Sequence, residues 1–392
     1  MKHIKSIFGG MLIIIFIIFS SMYFISKWLD SELQALDNKN VEMNNGIAIK
    51  DNGLYLIQRS LRHGDILMIG SSELSAPVEQ NPVNMYPNND LEVNINKIGG
   101  AHRESLLDAI LLGGLDVKPE NKISILISLQ WFEGNDINKQ GFQAKFSELQ
   151  FLSFLKNQQI TDESKKYVCS RLTNLLSNEP LTIESCLWAR LNATDDAVTK
   201  IVRCVFEPYY EFKYKILVLK DKYNAYKFLR DSPEKEYIVR DIDWKKEMDS
   251  AYIQGETACT NNDFFVYNEY YNKYLLDKID NLAGRDVNTT LLSSKEVNDY
   301  EELLRVSKEK SVKPYYIIMS TNGLYYDYVG QNRSRRIELY DLLREEAQKN
   351  DMPYLDLREY EYEPYFYCDV SHLGWKGWIF VNENISKYFA NK

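Results

Sequence analysis

Hydrophobic positions are not spread evenly along the chain but gathered into runs whose lengths and spacings predict distinct elements. The first run, residues 6–26, has no charged residue and is rich in Ile, Leu, Phe and Met. As a helix rising about 1.5 Å per residue it reaches roughly the 30 Å thickness of bilayer hydrocarbon. Short apolar blocks at 65–69 and 123–129 read as buried strands, the first stopped by Gly70. Between them, Leu106, Leu107, Ile110 and Leu111 have helical spacing, which predicts a helix over 104–112 with Gly113 and Gly114 as its stop. Strand runs recur at 315–319 and 354–357, separated by an amphipathic stretch at 336–349, and a last helix begins near Trp375. Strands alternating with helices predict an α/β fold, a three-layer sandwich around a central, mostly parallel sheet. In such a sheet the functional loops lie at the C-terminal ends of the strands.

Residues 141–290 break this rhythm, being Tyr- and Lys-rich and helical in pattern with no clean strand run, and are read as a helical insertion. The expected organisation is a cytoplasmic tip and transmembrane anchor over 1–29, a polar stalk or irregular lead-in over 30–60, and one domain over 61–392. Lys2 and Lys5 precede the apolar run and Asp30 and Glu32 follow it, which puts the N-terminus in the cytoplasm and the domain outside. A cleaved signal peptide is the competing reading. Its apolar core spans only about 7–15 residues and ends in a small-residue site, of which Ser20-Ser21 is a poor version.

Composition narrows the functional classes. With 45% hydrophobic and 26% charged residues in 392, the chain can bury an ordinary globular core. A net charge of -9 with no basic cluster argues against nucleic acid as the partner. The five cysteines lack the close-paired spacing of a metal site, so neither a metal nor another cofactor is expected. Cys169, Cys186 and Cys204 are candidates for a disulfide outside the cytoplasm, and the odd count leaves a thiol over.

The chemistry-bearing residues sit after the predicted strands. Gly70-Ser71-Ser72-Glu73-Leu74 follows the first, where a tight turn exposes a serine hydroxyl and neighbouring backbone N–H groups can face an oxyanion. Alone, such a turn is ordinary; a nucleophilic serine needs an imidazole base, and that imidazole a carboxylate. Of the four histidines, His3 falls on the far side of the membrane and His63 at the wrong end of the first strand. His102 is the rival base, with only Glu104 as a nearby carboxylate. His372 has Asp369 three residues before it, a spacing that brings both to one side of a turn, and is preferred. Ser72, His372 and Asp369 thus form a candidate catalytic set. Oxyanion-hole candidates are the Ser72 N–H, Gly99 or Gly100, and the amides of Gln130 and Asn135.

This arrangement resembles the SGNH (GDSL-like) hydrolase superfamily and, more narrowly, the D-alanyl-lipoteichoic acid biosynthesis protein family DltD. The resemblance rests on the N-terminal anchor, Gly70 through Leu74, Leu129-Gln130-Trp131-Phe132, Thr260-Asn261-Asn262, Asn322-Gly323 with Tyr326-Asp327-Tyr328, and DVSHLGWKGW from Asp369 to Trp378. It implies a role in attaching D-alanine esters to teichoic acid at the outer face of a Gram-positive cell membrane. It also implies a multi-spanning MBOAT-type acyltransferase as partner, a D-alanyl carrier protein or other D-alanyl donor, and Ser72 as nucleophile with Asp369 and His372. The chain departs from the family pattern at Ser128-Leu129-Gln130 and Ser320-Thr321, where the family tends to have Pro, and at His102-Arg103, where its loop is richer in Gly. Those departures bear on the oxyanion geometry and the acceptor.

The expected activity is therefore serine acyl transfer onto a polyol-phosphate polymer. The same triad would serve an esterase, a thioesterase or a wall-polysaccharide O-acetyltransferase. A non-catalytic alternative is a membrane-tethered adaptor that docks its partner through the aromatic middle, given 28 Tyr and 17 Phe.

Overall fold

The computed structural model describes residues 2–44, 46–177 and 179–390, with no side-chain description for residues 2–9, 11 and 12, so the side chain of His3 lies outside it. Five strands, β1 (Ile66–Ile69), β2 (Ile95–Ile98), β3 (Ile123–Ser128), β4 (Tyr315–Met319) and β5 (Tyr354–Asp356), form one parallel sheet in the order β2-β1-β3-β4-β5. The α/β architecture with a central parallel sheet is as the strand and helix runs predict. β1, β3 and β4 are buried along their whole length, which explains their nearly continuous apolar sequences, interrupted only by Ser124 and Ser128 of β3: helices cover both faces and no side chain points to water.

Alternate residues of each strand feed two cores. Leu67 and Ile69 of β1, with Ile125 and Ile127 of β3, face helices Ser105–Gly114, Lys295–Glu309 and Arg333–Lys349. Ile66 and Met68, with Leu126 and Ile317, face the closing helix Trp375–Ala390, against which helix Trp244–Ala258 also packs. In this strand order the chain leaves β1 towards β2 on one side and crosses to β3 on the other. The loops after β1 and β3 therefore diverge and leave a crevice at the switch point, where parallel sheets of this order bind ligands.

Three local outcomes differ from the sequence pattern. Gly113 and Gly114 end their helix as expected, but from inside it, as its last two residues. A Cβ on Gly113 would stand 2.4 Å from the Phe154 ring, so the glycine is required by helix packing, which a one-dimensional pattern cannot show. No disulfide forms: all five cysteines are free thiols, four of them buried and Cys204 exposed. Finally, Val41, Met43 and Leu56 of the polar lead-in, read as a stalk or an irregular entry, are buried against the fold. The N-terminal helix runs without interruption to Ala35 and carries a stretch, Ile13–Ala35, long and apolar enough to cross a membrane. Leu33, Val41, Met43 and Leu56 then form a small core with Ala225 and Leu229 of the long helix Ala197–Asp231.

Helix propensity alone favours Gly113→Ala by about 1 kcal/mol. Because the Phe154 ring occupies the space, the expected result is the reverse, a loss of roughly 1–3 kcal/mol typical of overpacking, measured by urea unfolding.

Candidate active site

Two loops from opposite ends of the sequence meet at the crevice. After β1 the chain passes Gly70 and turns at Ser71 into a short 3-10 helix, Ser72–Ser75, so Ser72 is its first residue and its N–H has no partner within that helix. The turn is braced from three directions. The buried Glu73 carboxylate accepts the Ser71 N–H at 2.7 Å. The Ser71 carbonyl accepts the Gly100 N–H at 3.1 Å, and its hydroxyl donates to the Gly100 carbonyl at 3.2 Å. Beneath, the buried Lys97 of β2 donates to the Leu74 carbonyl at 2.8 Å and to Asn81 Oδ1 at 2.6 Å.

The second loop is a tight reversal from Tyr367 to Leu373. The two ends pair in an antiparallel bridge, and the Cys368 N–H donates to the His372 carbonyl at 3.0 Å. Asp369 Oδ1 accepts the N–H groups of Ser371 (3.0 Å) and His372 (2.8 Å), an Asx turn that folds the loop around its own carboxylate. Gly374 follows because a Cβ there would lie 2.6 Å from the Cys368 nitrogen. Neighbouring segments clamp the loop: the Tyr267 N–H donates to the Cys368 carbonyl at 2.9 Å, and the Asn322 N–H to the Val370 carbonyl at 3.1 Å.

The result is a continuous hydrogen-bonded line. Asp369 Oδ2 lies 2.7 Å from His372 Nδ1, and His372 Nε2 lies 2.9 Å from Ser72 Oγ. The carboxylate accepts a hydrogen bond from Nδ1–H, which leaves Nε2 as the acceptor facing the serine hydroxyl. Burial works against a charged imidazole here. The hydrogen bond and charge of Asp369, with the nearby Glu73 adding, outweigh it and raise the His372 pKa above its ordinary value. Glu73 in turn is raised by burial, opposed by the N–H groups of Ser71 and Glu73 and by His372. Chemically, the arrangement joins a hydroxyl to a base whose protonated form is stabilised in place.

The other candidates fall differently. Gly99 sits against the Ser71 and Gly70 carbonyls, at 2.8 and 3.2 Å from where a Cβ would be, so it lines the serine turn. The Gly100 N–H is already committed to Ser71. Gln130 is half-buried on the 3-10 helix Leu129–Phe132 directly after β3, whereas Asn135 is exposed and its carbonyl accepts the N–H of Lys295. His102 is exposed, with its ring against Gly141, and His63 pairs with Asp37 at 3.2 Å; the imidazole hydrogen-bonded to Ser72 is that of His372. Among the described residues no His, Cys, Asp or Glu group is arranged to hold a metal ion. Sequence reasoning missed the bracing roles of Glu73, Lys97 and Asn322. Lys97 did leave a signal, as the one charged residue of the buried strand Ile95–Ile98.

The chain matches the family model for the DltD protein over residues 47–390. It belongs to the DltD family. Protein DltD of Bacillus subtilis (strain 168) is 29% identical over 98% of both chains. Protein DltD of Staphylococcus aureus (strain NCTC 8325 / PS 47) is 24% identical over 82% of this chain and 80% of its own, and that of Lacticaseibacillus rhamnosus 21% over 82% and 76%. The DltD match takes in both loops of the crevice, the serine turn and the Asp369–His372 reversal.

Asp369→Asn removes the charge that raises the imidazole while keeping its size. The expected outcome is a His372 pKa lowered relative to the wild type, followed by NMR titration of the imidazole; an unchanged pKa would show that Asp369 does not control it.

Proposed function

We propose that this chain is a serine acyl-transfer enzyme in the D-alanylation of teichoic acids, held at the outer face of the cell membrane by its N-terminal helix. The observation that carries the reading is the line Asp369–His372–Ser72, with contacts of 2.7 and 2.9 Å between a serine and a histidine 300 residues apart. Membership of the DltD family supports the substrate class. A surface Ser–His contact needs no buried, doubly hydrogen-bonded carboxylate behind it; Asp369 is 6% exposed and accepts from three groups.

In this mechanism His372 Nε2 takes the Ser72 proton as Oγ attacks the carbonyl of an activated D-alanyl ester or thioester. The negative charge moves to the carbonyl oxygen, which the Ser72 N–H and a donor from the loops carrying Gly99 and Gln130 would stabilise. Collapse expels the leaving group, to which His372 returns the proton, and leaves D-alanyl-Ser72. A hydroxyl of the polyol-phosphate polymer then enters, gives its proton to His372, attacks the acyl carbonyl and expels Ser72 Oγ, which takes that proton back from His372. Transfer outruns hydrolysis where the acceptor is held and water kept away from the acyl-enzyme. An MBOAT-type membrane acyltransferase and a D-alanyl carrier are the partners this role calls for.

A fluorophosphonate probe tests the activated serine directly. Wild-type protein is expected to label, and Ser72→Ala and His372→Ala to lose labelling, with a loss of acyl transfer of about 10⁴-fold or more. Labelling that survives Ser72→Ala would displace Ser72 as nucleophile.

The base must be neutral to accept the serine proton. With its pKa raised by Asp369, His372 is expected to give a labelling rate that falls as pH drops through a value above 6.5, and Asp369→Asn to move that limb to lower pH.

A further inference from the structure

The loop after β2 carries groups that the triad does not use. His102 and Arg103, which stand where the family pattern is richer in Gly, turn opposite ways. Arg103 is buried, with Nε 2.8 Å from Asp108 Oδ1 and Nη2 donating to the Leu107 carbonyl at 3.3 Å. His102 is exposed and holds a left-handed backbone, φ 68°. Ala101 beside it is exposed too, and among the described residues neither N–H takes a partner.

Helix Lys139–Lys145 lies along this loop. Gly141 and Lys145 are one turn apart, share a face, and meet the loop at two points. A Cβ on Gly141 would stand 2.2 Å from the His102 ring, and the Lys145 ammonium lies 2.8 Å from where a Cβ on Gly100 would be. Gly100 exchanges two hydrogen bonds with Ser71, the residue before the nucleophile. The ammonium therefore stands at the rim of the serine turn.

Lys145 is half-buried, yet among the described residues no carboxylate pairs with its ammonium and no acceptor takes its hydrogen bonds. Asp51, whose charge it does feel, faces Lys50 at 3.8 Å. The other cations around this loop are committed, Arg103 to Asp108 and Lys97 to the Leu74 carbonyl and Asn81. An ammonium has three donors, and those of Lys145 are left for an anion that enters the crevice.

We propose that Lys145, at the rim formed by Gly100 and His102, is an anion subsite of the crevice that takes a phosphodiester of the acyl acceptor and so brings a neighbouring hydroxyl over Ser72. The proposal deepens, and rests on, the reading of Ser72 as the nucleophile of acyl transfer onto a polyol phosphate. A chain of net charge -9 repels a polyanion as a whole and must meet it with a cation at the site. Such a subsite also separates transfer from hydrolysis: water has no phosphate to be held by, so only the polymer hydroxyl gains from a fixed approach.

For the test, the full-length chain in dodecyl maltoside is labelled at Ser72 with a fluorophosphonate in the presence of glycerophosphoglycerol or of diglycerol, which has the hydroxyls without the phosphate. The concentration of each that halves the labelling rate is measured, and the ratio of the two cancels any change in the reactivity of the serine itself. The diester is expected to protect at the lower concentration. That advantage is expected to shrink with added salt, to fall about tenfold in Lys145→Gln and to persist in Lys145→Arg. Equal protection by the two compounds in the wild type, or an advantage that survives Lys145→Gln, would overturn the subsite and leave Ser72 standing as nucleophile. Labelling that survives Ser72→Ala would remove the nucleophile and the subsite together. Loading Ser72 from a phosphate-free thioester and discharging it to each compound separates acceptor from donor. The Lys145→Gln loss is expected in discharge to the diester; a loss seen only when a phosphate-bearing donor loads Ser72 would assign the anion to the donor and overturn the proposal.

Discussion

A buried carboxylate must have its lone pairs satisfied or lose its charge, and the crevice is organised around that requirement at Asp369. One oxygen takes two backbone N–H groups of its own loop and the other takes the imidazole. The same side chain therefore shapes the turn, aims the ring and supplies the charge opposite it. Were the loop to open, the backbone bonds and the His372 contact would be lost together. Its tight closure, with no room for a side chain at Gly374, and the bonds from Tyr267 and Asn322 are the parts of the fold that prevent it.

The serine side is stiffened by a different means, cations buried under β2. Lys97 reaches the Leu74 carbonyl and Asn81, and Lys50, beneath it, binds the carbonyls of Asn44 and Met43, Asn96 and the Lys97 carbonyl. Burial pulls the Lys97 ammonium down to about 8 and that of Lys50 to about 7, the latter partly opposed by Asp51. Desolvating an ammonium is unfavourable unless its three donors are used, and here they tie loops to the sheet. The two lysines link the lead-in after the anchor, the edge strand and the serine turn into one hydrogen-bonded chain.

These networks connect the crevice to the apolar N-terminal helix. Met43 and Lys50 join β2 to the small core that Leu33 shares with Ala225 and Leu229, and through it to the paired N-terminal and long helices. The position of the crevice relative to the anchor is thus set by packed contacts and not by a flexible tether. In the proposed acyl transfer, the entropy of bringing the reacting groups together falls when one partner's position is already fixed.

Much of this was legible in the residues themselves. Nearly continuous apolar runs announced β1, β3 and β4 because a sheet covered on both faces has no wet side to mark by alternation. The contact between Asp369 and His372 follows from local spacing, since three residues across a turn leave little freedom. What lay outside the sequence's reach was anything set by approach in three dimensions. The 300-residue span between Ser72 and His372 is closed only by the strand order, which brings the end of β1 beside the C-terminal loop. Gly113 reads as a stop until Phe154 is seen against it, and Lys97 reads as a misfit in a strand until its acceptors are in place. Composition and local spacing determined which groups exist and which strands bury; the packing of distant segments decided which groups meet, because no residue encodes its distance to a partner far along the chain.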